Sequence, residues 1–210
     1  MKYEWKIIGI NPVWISALLT GAFLIICGTG GEDLHWGYLG FEMIFPYYMA
    51  VVIGEWCKIR TDPMFDVISA QGKSLFQWIL RRFALLFCLV SIFAAAGMIG
   101  VVLLKPSMSV ADLFLTFLPT AFFLSSISIF VSVLANVPHI PTMITGVIWL
   151  FSIMSMSLLR FAPVQYFYLF VRFAGINGTL WMINKSLLVI IGFSLWTGTY
   201  AICQRRSWGK

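Results

Sequence analysis

The chain has 210 residues, of which 60% are hydrophobic, 17% aromatic and only 10% charged, with a mean hydropathy of +0.93. A water-soluble domain carries about 25% charged residues, so this composition excludes a soluble globular protein. The formal charge of +6 does not point to nucleic acid, because no basic run and no polar domain carries it.

The N-terminal MKYEWKIIGINPVW mixes charge with Trp5, Ile7, Ile8 and Ile10, which predicts an amphipathic helix lying at a membrane interface. A membrane-crossing helix needs about 20 mostly apolar residues. Six segments meet that length: 11–28, 41–57, 83–104, 111–136, 141–159 and 186–203. The first is followed by GTGGED rather than a small-residue cleavage site, so it reads as a retained span. Pro46 and Pro119 fall inside spans two and four and predict kinks, with Thr116 or Thr120 placed to satisfy the freed carbonyls.

Between spans two and three lies GEWCKIRTDPMFDVISAQGKSLFQWILRR, a charged insert in an apolar chain. Thr61 or Asp62 suits a helix N-cap and Pro63 its first position. Met64, Phe65, Val67 and Ile68 supply a short apolar face beside Asp66, and Gly72 with Lys73 suits a helix end. Ser74-x-x-Gln77 has the spacing of a capping box, so a new helix, LFQWILRR, leads into span three.

NVPHIP is so short that spans four and five must be antiparallel neighbours. The apolar, aromatic segment 160–185 is broken by Pro163, Gly175 and Gly178. A seventh full span there would separate the basic C-terminus from the other basic segments. The expectation is therefore a re-entrant or interfacial helix between spans five and six. With both termini cytoplasmic, ten of the 14 Lys and Arg residues lie inside, in accord with the positive-inside rule.

The whole chain, 1–210, reads as one all-α integral membrane domain. Its inner-face charges are Glu55, Arg60, Arg81 and Arg82, the two adjacent arginines suiting contact with anionic headgroups. Glu42 and Arg160 sit near the outer side and are candidates to pair. Ala96-x-x-x-Gly100 permits close helix approach. Phe122, Phe123, Ser126 and Met154 are candidates for a substrate pathway, although helix packing and lipid contact explain such residues too. The serines of spans four and five either line a cavity or bond helix to helix.

Cys27, Cys57, Cys88 and Cys203 have neither zinc nor disulfide spacing. No catalytic residue or metal ligand is assigned: GxSxG and HExxH are missing from the sequence, and His35 and His139 fall on opposite membrane sides. The triplets beginning at Asn177 and Asn184 match glycosylation sequons that arise often by chance.

The chain resembles the permease subunits of ABC exporters of the ABC-2 type. The residues that carry the likeness are Glu55, Arg60-Thr61-Asp62, the helix after Pro63, Ser74 with the Arg81-Arg82 pair, and the basic tail TYAICQRRSWGK. The resemblance implies an N-terminal interfacial helix, six spans in the plasma membrane, and a cytoplasmic coupling helix formed by Asp62, Pro63, Met64, Phe65, Asp66, Val67 and Ile68. It further implies two copies of a separate ATPase that bind ATP and Mg, since the sequence has no phosphate loop of its own. A second permease chain, identical or similar, and membrane lipid complete the expected partners. The implied activity is export of an amphipathic peptide, a peptide antibiotic or a lipophilic compound. The rival readings are a non-transporting six-span protein with an immunity or partner-binding role, and an intramembrane enzyme.

Overall fold

A computed structural model describes residues 9–30, 35–57, 74–135, 137 and 139–207, and these are helical with no strand. The expected interfacial helix at the N-terminus and the insert carrying Arg60 and Asp62 to Ile68 lie outside the described residues. Six helices are long and apolar enough to cross a membrane: Asn11–Thr29, Trp36–Trp56, Leu75–Leu104, Val110–Leu134, Ile140–Arg160 and Thr179–Arg205. By length and composition this is a multi-pass membrane protein. An even number of alternating spans puts the start of span one and the end of span six at one end of the bundle, here the terminal end. The opposite, or loop, end holds the connections between spans one and two, three and four, and five and six.

Two spans start earlier than the hydropathy pattern indicates. Span three absorbs LFQWILRR because nothing breaks the helix after its cap: Ser74 has extended backbone (φ −64, ψ 137) and its hydroxyl accepts from the Gln77 amide at 3.3 Å. Span six begins at Thr179, directly after Gly178 at φ +75, and so takes Asn184 and Lys185 into its body.

Spans two and four form the centre of the bundle, 67% and 50% buried, whereas the other four are 17–33% buried. Span one packs on span three, span five on both central helices, and span six on span four. Spans four and five are neighbours, as the short link requires. Close approach depends on glycines at the contacts. A Cβ on Gly54 would stand 2.2 Å from Ser128 Oγ, and one on Gly100 would stand 2.6 Å from Leu24 Cδ2. The small-residue seam of span three uses buried Ala94 and Gly97 and half-buried Gly100, while Ala96 lies on the exposed side. Phe23, Phe41 and Phe45 fill the space between spans one and two, with ring centroids 5.2–6.3 Å apart.

The prolines act in different ways from the simple kink expected. Pro46 has no N–H for the carbonyl of Glu42, and its ring would crowd that carbonyl in an α-helix. The preceding turn, Leu39–Ile44, is π-helical, and the Phe45 amide bonds to Gly40 one residue further back than in an α-helix. Pro119 frees the carbonyl of Leu115. The neighbouring threonines bond elsewhere, Thr116 to the Asp112 carbonyl (2.8 Å) and Thr120 to the Thr116 carbonyl (3.2 Å).

Gly54→Ala should destabilise the protein by about 1–3 kcal/mol, since the new methyl must displace Ser128 and its bond to Ala50. Gly21→Ala, where nothing lies within 4 Å, should instead be neutral or stabilise by about 0.5–1 kcal/mol through helix propensity. Thermal unfolding in detergent compares the two.

Candidate functional site: a buried polar clamp at the loop end

Three elements converge where the connection between spans five and six folds back on the bundle. The connection starts as a 3-10 turn, Ser155–Arg160, and a short helix, Ala162–Phe167. A single helical turn follows, with the Ala174 amide bonded to the Phe170 carbonyl at 3.0 Å. It closes as a Schellman motif, with Gly175 N–H to the Arg172 carbonyl (3.0 Å) and Ile176 N–H to the Val171 carbonyl (3.1 Å). Gly175 occupies the left-handed position this motif needs, at φ +81.

The first amides of a helical turn have no carbonyl one turn earlier to bond. Glu42 of span two takes that role. Its Oε1 accepts from the Arg172 amide at 3.1 Å and its Oε2 from the Phe173 amide at 2.6 Å. The same carboxylate accepts from Lys185 Nζ of span six at 2.6 Å, with Glu42 0% and Lys185 5% exposed. The ammonium spends its other donors on Thr120 Oγ1 of span four (2.8 Å) and the Leu169 carbonyl (3.2 Å). Spans two, four and six and the 169–173 turn thus meet at one ion pair.

Two further contacts hold the connection. Asn184 Nδ2 donates to the carbonyls of Gln165, Tyr166 and Tyr168 at 2.9–3.1 Å, tying the end of the short helix to span six. Arg172 reaches Asp112 of span four, Nη2 to Oδ2 at 2.9 Å, and Nη1 donates to Asn177. Its guanidinium lies 5.4 Å from the ring centres of both Tyr38 and Trp181. The Tyr38 hydroxyl donates to the same Asp112 oxygen at 2.5 Å.

Burial pulls the Arg172 pKa down, but the hydrogen bond to Asp112 and the interactions with Tyr38 and the Asp112 charge together more than offset it, so the group ends above its ordinary value. The Tyr168 hydroxyl is pushed up to about 12, first by burial and then by the negative charge of Glu42. The two ion pairs differ in weight. Asp112 and Arg172 retain about a fifth of their exposure (23% and 20%) and belong with weakly contributing surface pairs. Glu42–Lys185 is desolvated, and removing one partner leaves an uncompensated charge.

The residues singled out from the sequence do not gather in one place. Glu55 accepts from Thr142 Oγ1 at 2.5 Å and lies 3.3 Å from His139 Nδ1, joining the terminal ends of spans two and five. Glu42 pairs with Lys185, while Arg160 is exposed. Arg81 is partly exposed, but Arg82 is 1% exposed, which corrects its reading as a headgroup contact. The reason is register: Ile79, Phe83, Leu86 and Val90 form the buried stripe of span three, and Arg82 lies on it.

Phe122 packs between Phe83 and Phe193, at 6.3 and 5.0 Å, and Phe123 joins the cluster around Leu169 and Phe170. Ser126 is buried and donates to the Phe122 carbonyl at 2.6 Å, whereas Met154 is 79% exposed. Ser128 donates across to the Ala50 carbonyl of span two at 2.9 Å, whereas Ser126 and Ser155 bond back to carbonyls of their own helices.

An open groove of about 480 Å³ does occur at the terminal end, lined by Thr197, Tyr200, Ala201, Gln204 and Arg205. Cys27, Cys57 and Cys203 are buried, whereas Cys88 is exposed. Among the described residues no three His, Cys, Asp or Glu side chains converge to hold a metal ion. Asn184 is buried and hydrogen-bonded, so only Asn177 of the two sequons is accessible.

Lys185, Arg172, Asp112, Thr120 and Asn184 were not singled out from the sequence as a site. A lysine and an arginine within an otherwise apolar, aromatic stretch were the available signal, but they read equally well as flanking charges.

Comparison with known protein families, with characterised proteins and with solved structures finds no match for this chain.

The clamp should not tolerate reversal. In Glu42→Lys with Lys185→Glu, an ammonium would face two amide N–H groups and a carboxylate would face the Leu169 carbonyl. The double variant should stay at least about 2 kcal/mol less stable than the parent, measured by thermal unfolding in detergent. Full recovery would mean that only the charge pairing matters.

Proposed function

We propose that the chain is the transmembrane subunit of an ATP-driven exporter of the ABC-2 type, located in the plasma membrane with both termini in the cytoplasm. The observation that carries this reading is the layout. Six apolar helices in alternating directions put the start of span one, the end of span six, and Cys57 and Ser74 on either side of the charged insert, at the same end of the bundle. A motor subunit that binds there has a rigid route to the opposite face, because spans two and four are the buried core. The folded-back connection between spans five and six supports the reading as well. The amides of residues 172–176 all bond within the protein, as a non-helical segment in apolar surroundings requires.

In this mechanism Asp62 to Ile68 form the contact with the ATPase, with Phe65 and Ile68 as its apolar anchors. ATP and Mg belong to that partner, two copies of which serve two permease chains. Their closure displaces the insert, and the displacement passes into spans two and three, which flank it. The central helices then tilt and exchange an inward-facing for an outward-facing path between the chains. The cargo is amphipathic or lipophilic, because the bundle offers apolar and aromatic surface with few charges: an amphipathic peptide, a peptide antibiotic or a hydrophobic compound.

Co-expression with an ABC-type ATPase encoded beside this chain's gene tests the reading. A stable complex is expected. Phe65→Asp should reduce ATP-dependent efflux by about tenfold or more through loss of a central interface anchor. No complex, together with no effect of Phe65→Asp, would favour the non-transporting role. Orientation is read from a cysteine placed at Met64 in a background without native cysteines. It should resist a membrane-impermeant thiol reagent applied to intact cells, and labelling from outside would reverse the topology.

A further inference from the structure

The polar atoms around the folded-back connection are unevenly satisfied. Glu42 and Lys185 have every partner they need, yet Arg172 Nε, Trp181 Nε1 and Asn184 Oδ1 are buried with no hydrogen bond. All three lie where the 168–178 segment meets the start of span six: Arg172 stacks on Trp181, and Asn184 holds Tyr168. A buried polar atom without a partner costs free energy that contact with water removes. Seating the segment therefore carries a penalty at three atoms, which burial of Tyr168 to Val171 and the bonds from the 172 and 173 amides to Glu42 offset.

The attachments are also asymmetric. Residues 165–168 are tied to span six through the three carbonyls that Asn184 holds. The 172–173 end is tied to span two through Glu42 alone among the carboxylates, with Asp112 gripping only the Arg172 side chain. Beyond it, Gly175 and Gly178 have positive φ and open space around their Cα hydrogens, nothing lying within 4 Å of a Cβ placed there. Such positions can absorb a change in backbone angles without a clash.

We propose that residues 168–178 form a gate over the loop end of the bundle, that the Glu42 carboxylate fastens it, and that it opens by local release while the six spans stay folded. Opening swings the 169–173 turn away from span two about Gly175 and Gly178, hydrates Lys185 and gives the three unpaired atoms access to water. This deepens the exporter reading and rests on it for its purpose, since a gate at this end would control exit of cargo. The release itself needs neither cargo nor ATPase, so it is tested separately.

The experiment uses the full chain, purified in detergent, with the four native cysteines replaced. Single cysteines at Val171, 1% exposed in the gate, and at Met98, 0% exposed in the core, are reacted with a soluble thiol reagent. Glu42→Gln should speed labelling at Val171→Cys by about tenfold or more while leaving Met98→Cys unchanged, the pattern of local rather than global opening. Unchanged labelling at Val171→Cys, or a parallel rise at Met98→Cys, would overturn the proposal.

Should Glu42→Gln fail to fold, amide exchange in the unaltered protein decides. The amides of the buried gate residues 169–171 should exchange about tenfold or more faster than those of Thr116, Phe117 and Thr120 in span four, which are buried as well. Equal protection would show a fixed element. Failure here with an intact, active ATPase complex would leave the exporter reading standing, and loss of that complex with a mobile gate would do the reverse.

Discussion

A carboxylate in the apolar interior of a helix bundle must find donors within the protein, and Glu42 finds three. One is an ammonium from the far end of the sequence, and two are main-chain amides that a helical turn leaves unbonded. The contact does not have to add net stability to matter, because desolvating both charges takes back much of what their attraction provides. Its contribution is to position. The amides of residues 172 and 173 have one acceptor offered to them, so the connection between spans five and six has one place to dock. Thr120 extends the arrangement into span four, and the start of span six, the π-helical turn and the Schellman turn all take their places around it.

Away from this point, hydroxyl and indole groups also join the helices. Ser128 reaches the Ala50 carbonyl, Ser16 meets the Tyr48 hydroxyl at 3.1 Å, and Trp149 donates to the Met43 carbonyl at 3.0 Å. Each contact includes span two, and glycines at 40 and 54 let its neighbours come close. Span two is also held at the terminal end by Glu55, through Thr142. A helix secured by one carboxylate near each end and by hydroxyls between them moves as a unit. That property suits the element that enters the charged insert.

The helices were legible in the sequence because lipid imposes a simple rule: about 20 apolar residues in a row. All six segments were found, and the capping serine at position 74 was correctly placed. The helix LFQWILRR was also read as leading into span three, and it is continuous with it. The start of span six was placed too late because charge was treated as a boundary, yet Lys185 is inside the helix. The site was harder to read because Glu42 and Lys185 are 143 positions apart, and no local pattern reports a pairing across that distance. Arg82 illustrates the same limit, since its burial follows from register with Ile79 and Leu86 rather than from its own chemistry. The serines and aromatics of span four, by contrast, serve helix packing, as their spacing alone could have suggested.

The π-helical turn at Leu39–Ile44 makes the chain length here a structural quantity. One residue is worth about 100° of rotation in an α-helix. Taking a residue out of this turn would rewind it and rotate His35–Tyr38 by about that angle relative to the helix that follows. Tyr38 would leave Asp112, or Glu42 would leave the amides of the 169–173 turn, because a regular helix cannot aim both at once. Point substitutions on the lipid-facing side of this turn can be absorbed, but its residue count cannot change without unfastening one contact or the other.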